Sequence, residues 1–339
     1  MTVQKPPRTA PQVAGVPLGD PTLAAAVDRG LDAVEELLRR EVHSDYRFVA
    51  DTSLHLIEAG GKRFRPLLTL LAAQLAGGTS EAVVVAATSV ELVHLATLYH
   101  DDVMDEATMR RGAQSANARW DNTVAILTGD YLFAHASRLV SELGPEAVRI
   151  IAETFAELVT GQMRETRGPR GEDPIAHYVA VVAEKTGSLI ATSGRFGAMF
   201  AGAPPEQVEA MRRFGEIIGT AFQVSDDIID IASPSGASGK TPGTDLREGV
   251  ATLPVLHTLA GGGPEAARLR ELGVGTRELD DDAVGKALDL LRDSDGLLQA
   301  RAALDAQAEA ARAELSSLPA GPACDALAAL LDYTVDRIG

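Results

Sequence analysis

Two aspartate-rich pentads, Asp101-Asp102-Val103-Met104-Asp105 and Asp226-Asp227-Ile228-Ile229-Asp230, carry the side chains of this sequence best suited to chemistry. In each, the first and last aspartates stand four residues apart, so on a helix both carboxylates project from one face, a turn apart. Like charges at that spacing repel. A divalent cation relieves the repulsion, and carboxylate oxygen is the donor that Mg²⁺ prefers. A single pentad reads equally well as a solvated helix face or a cap. Two, each followed closely by basic residues, point to a pair of facing metal sites gripping a polyanion.

The surrounding residues extend that reading. At about 100° per residue, His94 and Thr97 fall within roughly 60° of the direction midway between Asp101 and Asp105 on a helical wheel. Arg110-Arg111-Gly112 follows the first pentad, and its forked donors suit phosphate oxygens, with salt bridges to the pentad itself as the plainer alternative. Upstream, Gly60-Gly61-Lys62-Arg63-Phe64-Arg65-Pro66 reads as a flexible loop with three cations ahead of a helix whose first turn can hold Pro66. Such a helix N-terminus favours phosphate. In the second half, Phe222-Gln223 precedes the pentad, and Gly239-Lys240, Gly243-Thr244-Asp245 and Thr252-Leu253-Pro254 follow it. Lys185-Thr186-Gly187 lies in a helical stretch where Thr and Gly should loosen the turn and expose a carbonyl, a dipole able to stabilise a nearby carbocation. Gly161-Gln162 and Glu165 add polar groups to an otherwise apolar helix.

These residues need a helical frame. Of 339 residues, 45% are hydrophobic and only 4% aromatic, and Ala and Leu outweigh the short β-branched runs. Apolar residues recur at helical spacing from Pro21, at Leu23, Ala26, Val27, Leu31, Val34 and Leu38. Further helices are expected over about 65–76 and 81–106, the latter ending in the first pentad. Breakers recur at Gly112, Gly129, 167–174, Pro204-Pro205 and 233–243, with helix-length segments between them. Gly261-Gly262-Gly263-Pro264 precedes an Ala- and Leu-rich C-terminal region, in which Asp280-Asp281-Asp282 reads as a helix cap and acidic first turn. The expectation is a disordered tail over 1–20 and one helical domain over 21–339, with 264–339 part of it.

The net charge of −17 argues against nucleic acid or an anionic membrane as a general partner, so any phosphate site must be made locally positive. The single cysteine, Cys324, suits a reducing cytoplasm and reads as an inert thiol. No signal peptide and no membrane span are expected.

In company these motifs identify a family. GGKRFRP, ELVHLATLYHDDVMDEATMRRG, GQ, KTG, FQVSDDIID, GK with GTDLREG, and TLP run in order from Gly60 to Pro254. The chain resembles the trans-isoprenyl diphosphate synthases, the polyprenyl synthetase family. The resemblance implies an all-α, single-domain bundle around a deep central cavity, a homodimer, and three Mg²⁺ ions per active site. Asp101 and Asp105 would bind two of the ions and Asp226, with Asp230 and Asp245, the third, while Asp102 and Asp227 would support them. Arg110, Lys185 and Lys240 would hold the allylic diphosphate, and Lys62, Arg65, His94 and Arg111 the isopentenyl diphosphate. Gln223 and Thr186 would face the developing cation, with Glu165 where some relatives place another metal-facing carboxylate. One departure is Val250, where many relatives carry a lysine aimed at the allylic diphosphate.

The implied reaction is Mg²⁺-assisted ionisation of the allylic diphosphate, attack by the isopentenyl double bond and loss of a proton to the departed diphosphate, with no protein nucleophile. Product length should depend on what blocks the cavity below the first pentad. A helix rises about 1.5 Å per residue, which puts Ala96 and Thr97 roughly 6–8 Å below Asp101. Both are small, and Val93 one turn deeper is modest, so the expected product is long (C35–C50), suited to a quinone side chain. Thr97 lies squarely on the site face and Ala96 obliquely, while Tyr99 of the same helix is a bulky neighbour that would favour C20 if it intruded. A C15 or C20 synthase and a non-catalytic partner subunit stand as alternatives. A terpene cyclase would have no use for Lys62, Arg65, His94 and Arg111. Release of so apolar a product implies transient membrane contact.

Overall fold

Helical periodicity dominates the computed structural model, which describes residues 12–233, 242–276 and 278–336. In chain order the elements are β1 (Gln12–Val13), β2 (Val16–Pro17), α1 (Pro21–Glu41), α2 (Arg47–Glu58), α3 (Phe64–Ala73), α4 (Glu81–Met104), β3 (Met109–Arg110), β4 (Ala113–Gln114), α5 (Ala116–Arg119), α6 (Asn122–Ser141) and α7 (Pro145–Arg167). There follow α8 (Pro174–Val182), a π-turn (Ala183–Gly187), α9 (Ser188–Phe200), α10 (Pro205–Ala232), α11 (Thr244–Arg247), α12 (Leu253–Gly261), α13 (Gly263–Leu272), α14 (Asp281–Arg292), α15 (Asp295–Ser316) and α16 (Pro322–Val335). The described strands form two antiparallel hairpins of two residues a side, so the expected all-α class holds.

The chain divides into two compact units, residues 1–155, 189–215 and 315–330 in one and 156–188, 216–314 and 331–339 in the other. At the centre of the first unit lies α4, packed on α1, α3 and α6. Ser80 caps it by accepting from the Val83 amide at 3.3 Å. Its residues are apolar almost all round, as expected of a helix enclosed by others. Among the described residues it is the one helix long and apolar enough to cross a membrane, and 72% of that stretch is buried within the fold, the position of a core helix. In the second unit, Ala221, Val224 and Ile228 of α10 pack with Leu253 of α12 and Leu297, Ala300 and Leu304 of α15.

Local rules explain most boundaries. Asp20 caps α1 by accepting from the Leu23 amide at 2.7 Å, and Pro21 occupies the first turn. Asp280 caps α14 in the same way through Ala283, as its sequence indicated. The tail expected over 1–20 needs correction: residues 1–11 lie outside the described residues, but from Gln12 the chain is ordered. Ala14 and Gly15 take φ of 51° and 85°, the twist that a two-residue hairpin turn demands, and Val13, Val16 and Leu18 are buried. No helical periodicity marked α2 in the sequence. Tyr46 offers it no capping side chain, and its interior is polar, with Thr52 and Ser53 returning hydroxyl bonds to the Val49 carbonyl.

That polar helix receives Tyr99. The fully buried phenol donates to the Thr52 carbonyl at 2.5 Å and accepts from the Leu56 amide at 3.2 Å, and burial pushes its pKa up. Tyr99 is therefore fixed against α2 on a different face of α4 from Thr97, and the intrusion considered from the sequence does not occur. Tyr99→Phe should cost about 1–3 kcal/mol, the usual penalty for stripping a partner from buried polar groups, read as a lower denaturant midpoint at unchanged m-value.

Candidate active site

Helix α4 delivers the first pentad at its C-terminal end. Asp105 is the C-cap, its amide bonded to the Asp101 carbonyl at 2.8 Å; Asp101 is half-buried and Asp105 exposed. Asp102 points the other way and is fully buried. Burial pushes its carboxyl up, and Arg110 pulls it back, donating through Nε to Asp102 Oδ1 at 2.6 Å. A tight hairpin makes this possible: Arg111 and Gly112 take φ of 54° and 75° between β3 and β4, and return Arg110 to the helix end. Another Arg110 nitrogen lies 3.9 Å from Asp105. Of the two arginines, Arg110 pairs with the pentad.

Arg111 does not. Its Nη1 donates to the carbonyls of Leu56 (3.1 Å) and Gly60, and its Nη2 lies 3.8 Å from Glu91. Gly61 takes φ 140°, a conformation that favours glycine, and a Cβ on it would press on the Arg111 guanidinium at 2.9 Å. Arg65 in the first turn of α3 is pushed down to about 10 by burial and by Arg111, with Glu91 opposing. Its Nε is buried and finds no hydrogen-bond partner among the described residues. His94 is held well below the ordinary histidine range by burial and then by Arg65, Arg111, Arg63 and Arg110. Arg65, His94 and Arg111 therefore form one electropositive cluster in a chain whose net charge is −17, and exposed Lys62 begins the loop beside it.

Arg63 departs from the expected three-cation loop. It is buried, and its guanidinium is held by Glu35, Glu91 and two carbonyls, so it is a structural cation and not a phosphate donor. Glu91, 1% exposed, was also missed. The signal was present: a lone acid between Glu81 and Asp101 on an apolar helix must find a buried cation.

In the second unit the middle aspartate is again buried. Asp227 accepts from the Tyr178 phenol and, at 3.0 Å, from Gln223 Nε2. Burial and then Asp245 push its carboxyl up to about 8, against these two donors. Gln223, expected to face a cation, here holds Asp227, and Tyr178 is a participant the sequence did not single out. Asp226 is half-buried. Asp230 has structural work: its two oxygens accept from the Thr244 and Asp245 amides at 3.1 and 3.2 Å, which starts α11. Val250 ends that turn, its amide bonded to the Asp245 carbonyl at 2.8 Å and its side chain exposed. Lys240 lies outside the described residues.

The loosened turn expected at Lys185-Thr186-Gly187 is the π-turn, where the Ser188 amide reaches back five residues to the Ala183 carbonyl. Gly161 lets α7 approach it, because a Cβ there would sit 2.5 Å from the Lys185 nitrogen. Lys185 pairs with Glu165, and Arg164 grips Glu184 through two bonds of 3.0 and 3.1 Å. Gln162 Oε1 is buried with no hydrogen-bond partner among the described residues. Thr186 is half-buried.

The donor set suits Mg²⁺. Asp101 and Asp105 share one helix face, and Asp227 is raised by burial first and then by its neighbours Asp245 and Asp226, the latter a repulsion that a cation relieves. Among the described residues no three metal-ligating side chains converge. Mg²⁺ binds through one or two carboxylates completed by water and substrate phosphate, and pairs of this kind meet that need.

Below the first pentad, Val93 and Ala96 are buried and Thr97 half-buried, its hydroxyl donating to the His94 carbonyl at 2.8 Å. Gly129 of α6 packs at Ala96 and His100. Thr97 is the more open of the three.

Comparison with known proteins agrees with these motifs. The polyprenyl synthetase family model matches residues 47–291. A nonaprenyl diphosphate synthase of Mycobacterium tuberculosis is 59% identical over 96% of this chain and 98% of its own. Among solved structures, a geranylgeranyl pyrophosphate synthase of Corynebacterium glutamicum, complexed with calcium and isoprenyl diphosphate, is similar at 51% identity and TM-score 0.86, covering 95% of this chain and 99% of its own. A decaprenyl diphosphate synthase of Rhodobacter capsulatus gives 34% and 0.85, covering 94% and 99%.

The depressed His94 has a measurable consequence. Unfolding frees the imidazole to protonate near pH 6.5 while the folded form resists, so folded stability is lost as pH falls below about 6.5, by at most about 1.4 kcal/mol per pH unit. Denaturant midpoints at about pH 7.5 and 5.5 should fall less for His94→Gln than for the unaltered chain.

Proposed function

We infer, because this chain belongs to the polyprenyl synthetase family, that it condenses isopentenyl diphosphate onto an allylic diphosphate to make an all-trans polyprenyl diphosphate of long chain. The observation that carries the reading is the electropositive cluster of Arg65, His94 and Arg111 beside the helix that ends in Asp101 and Asp105. Surplus positive charge at one place in an acidic protein suits an anion, and an isopentenyl subsite is what separates an elongating enzyme from a cyclase.

The residues act mainly by placement. Lys62, Arg65, His94 and Arg111 hold isopentenyl diphosphate with its double bond oriented, and Arg110, Lys185 and Lys240 hold the allylic diphosphate. Asp101, Asp105 and Asp226 would hold Mg²⁺, with Asp102 and Asp227 buried behind them as supports. When bound, Mg²⁺ neutralises the diphosphate as it leaves. The π-turn at Thr186 and the side-chain oxygen of Gln223, whose Nε2 holds Asp227, would offer carbonyl dipoles to the developing allylic cation. The isopentenyl double bond attacks that cation, forming a C–C bond, and a proton passes to the departed diphosphate. Positioning and exclusion of water do the rest. The proposal extends to a homodimer in the cytoplasm, transient membrane contact on product release and a quinone side chain as the product's destination. Cys324, whose thiol burial pushes up, fits an inert role in a reducing compartment.

Long product length rests on small Ala96 and open Thr97 and on the similarity to the nonaprenyl enzyme. Purified protein incubated with Mg²⁺, labelled isopentenyl diphosphate and C10, C15 and C20 primers should give a ladder ending at C35 or longer. A stop at C20 would keep the chemistry and remove the length argument; no elongation with any primer would favour a partner subunit. Thr97→Phe should shorten the ladder at near-unchanged primer consumption, and Arg65→Met should raise KM for isopentenyl diphosphate by about 10-fold or more.

A further inference from the structure

Arg63 sits in the left-handed region, at φ 48° and ψ 39°, an uncommon conformation for a residue with a side chain. Its side chain explains why the backbone stays there. Nε donates to Glu35, Nη1 to Glu91 at 3.0 Å and to the Gly60 carbonyl at 3.4 Å, and Nη2 to the Ile57 carbonyl at 3.0 Å. Burial opposes its charge, and Glu35 and Glu91 more than offset that.

Arg111 meets the same groups from the other side. It bonds the Gly60 carbonyl and the neighbouring Leu56 carbonyl, and it faces the same Glu91 oxygen, Oε1, at 3.8 Å. Two guanidiniums thus share one carboxylate oxygen and one loop carbonyl at the C-terminal end of α2, where unsatisfied carbonyls favour cations. The loop between them, Gly60-Gly61-Lys62, leads into α3, which begins directly after Arg63 and carries Arg65 in its first turn.

We propose that Arg63 is a positioning residue for isopentenyl diphosphate: without touching substrate, it fixes the Lys62 loop and the start of α3, and through Glu91 and Gly60 it fixes Arg111. This rests on the reading of Lys62, Arg65, His94 and Arg111 as the isopentenyl subsite. Only a planar, forked cation reaches all of these acceptors, so lysine does not replace it.

The test is Arg63→Lys in the full chain, with KM measured separately for isopentenyl diphosphate and for the primer, and a thermal melt alongside. The expected result is KM for isopentenyl diphosphate raised about 10-fold, primer KM within about twofold and kcat within about threefold. Equal rises in both KM values, or no rise, overturn the proposal. Should Arg63→Lys not fold, Glu91→Gln is measured in the same way. It keeps an acceptor and removes the shared charge, and a selective rise is again expected; a fall or no change overturns it. Arg65→Met separates the two levels. If it leaves KM for isopentenyl diphosphate unchanged, the subsite reading fails; if it alone raises that KM, only the role of Arg63 fails.

Discussion

A charge removed from water must be matched, and three buried carboxylates organise the chemistry of this protein. Asp102 is matched by Arg110, Glu91 by Arg63 with Arg111 behind it, and Asp227 by Tyr178 and Gln223. Each pairing ties a helix to a second element: α4 to the β3–β4 hairpin, α4 to the loop before α3, and α10 to α8. With Asp102 turned inward and bonded, Asp101 and Asp105 share the opposite side of the helix end. The two pentads resolve the same problem differently. A cation balances the charge on Asp102, whereas neutral donors leave Asp227 near its titration point, at about 8.

How much could be read in advance follows from which interactions are local. Helix periods, the Asp280 cap and the pentad spacing depend on residues three or four apart, and they were legible. So was the loosening at Lys185-Thr186-Gly187, because Thr and Gly weaken a helix wherever they sit. Pairings across long separations were not. Arg63 and Glu91 stand 28 residues apart, and Tyr178 and Asp227 stand 49 apart. A basic residue beside others in GGKRFRP looks like a phosphate donor until a buried acid claims it. Helix α2 escaped notice for a related reason: its backbone serves Tyr99 and its hydroxyl side chains serve its own carbonyls, which blurs the apolar stripe. The β1–β2 and β3–β4 hairpins escaped because each turn pairs a glycine with a non-glycine residue of positive φ, Ala14 before Gly15 and Arg111 before Gly112.

The π-turn shows how a local weakness becomes a positioned group. A wide turn leaves backbone carbonyls less committed than a regular helix does, and such turns cluster at functional sites. This one is braced on both sides of Lys185, by Arg164 on Glu184 and by Glu165 on Lys185 itself, while Gly161 allows α7 to lie against it. The wide turn is therefore stiff, and a stiff dipole stabilises developing charge without reorganising when the charge forms.

Helix α4 joins the two demands that an elongating enzyme places on one element. Its N-terminal turns are enclosed by α1, α3 and α6 and need only be apolar. Its last turns carry charge, and between them lie Val93, Ala96 and Thr97, small or modest side chains where the helix passes from core to site. Bulk at this transition cannot be relieved easily, because the surrounding helices hold α4 in place: Gly129 already admits α6 so close that a single Cβ would strike His100 and press on the Ala96 carbonyl. The same close packing that supports the aspartate-bearing end sets the side-chain volume beneath it, which is where the proposed control of product length would act.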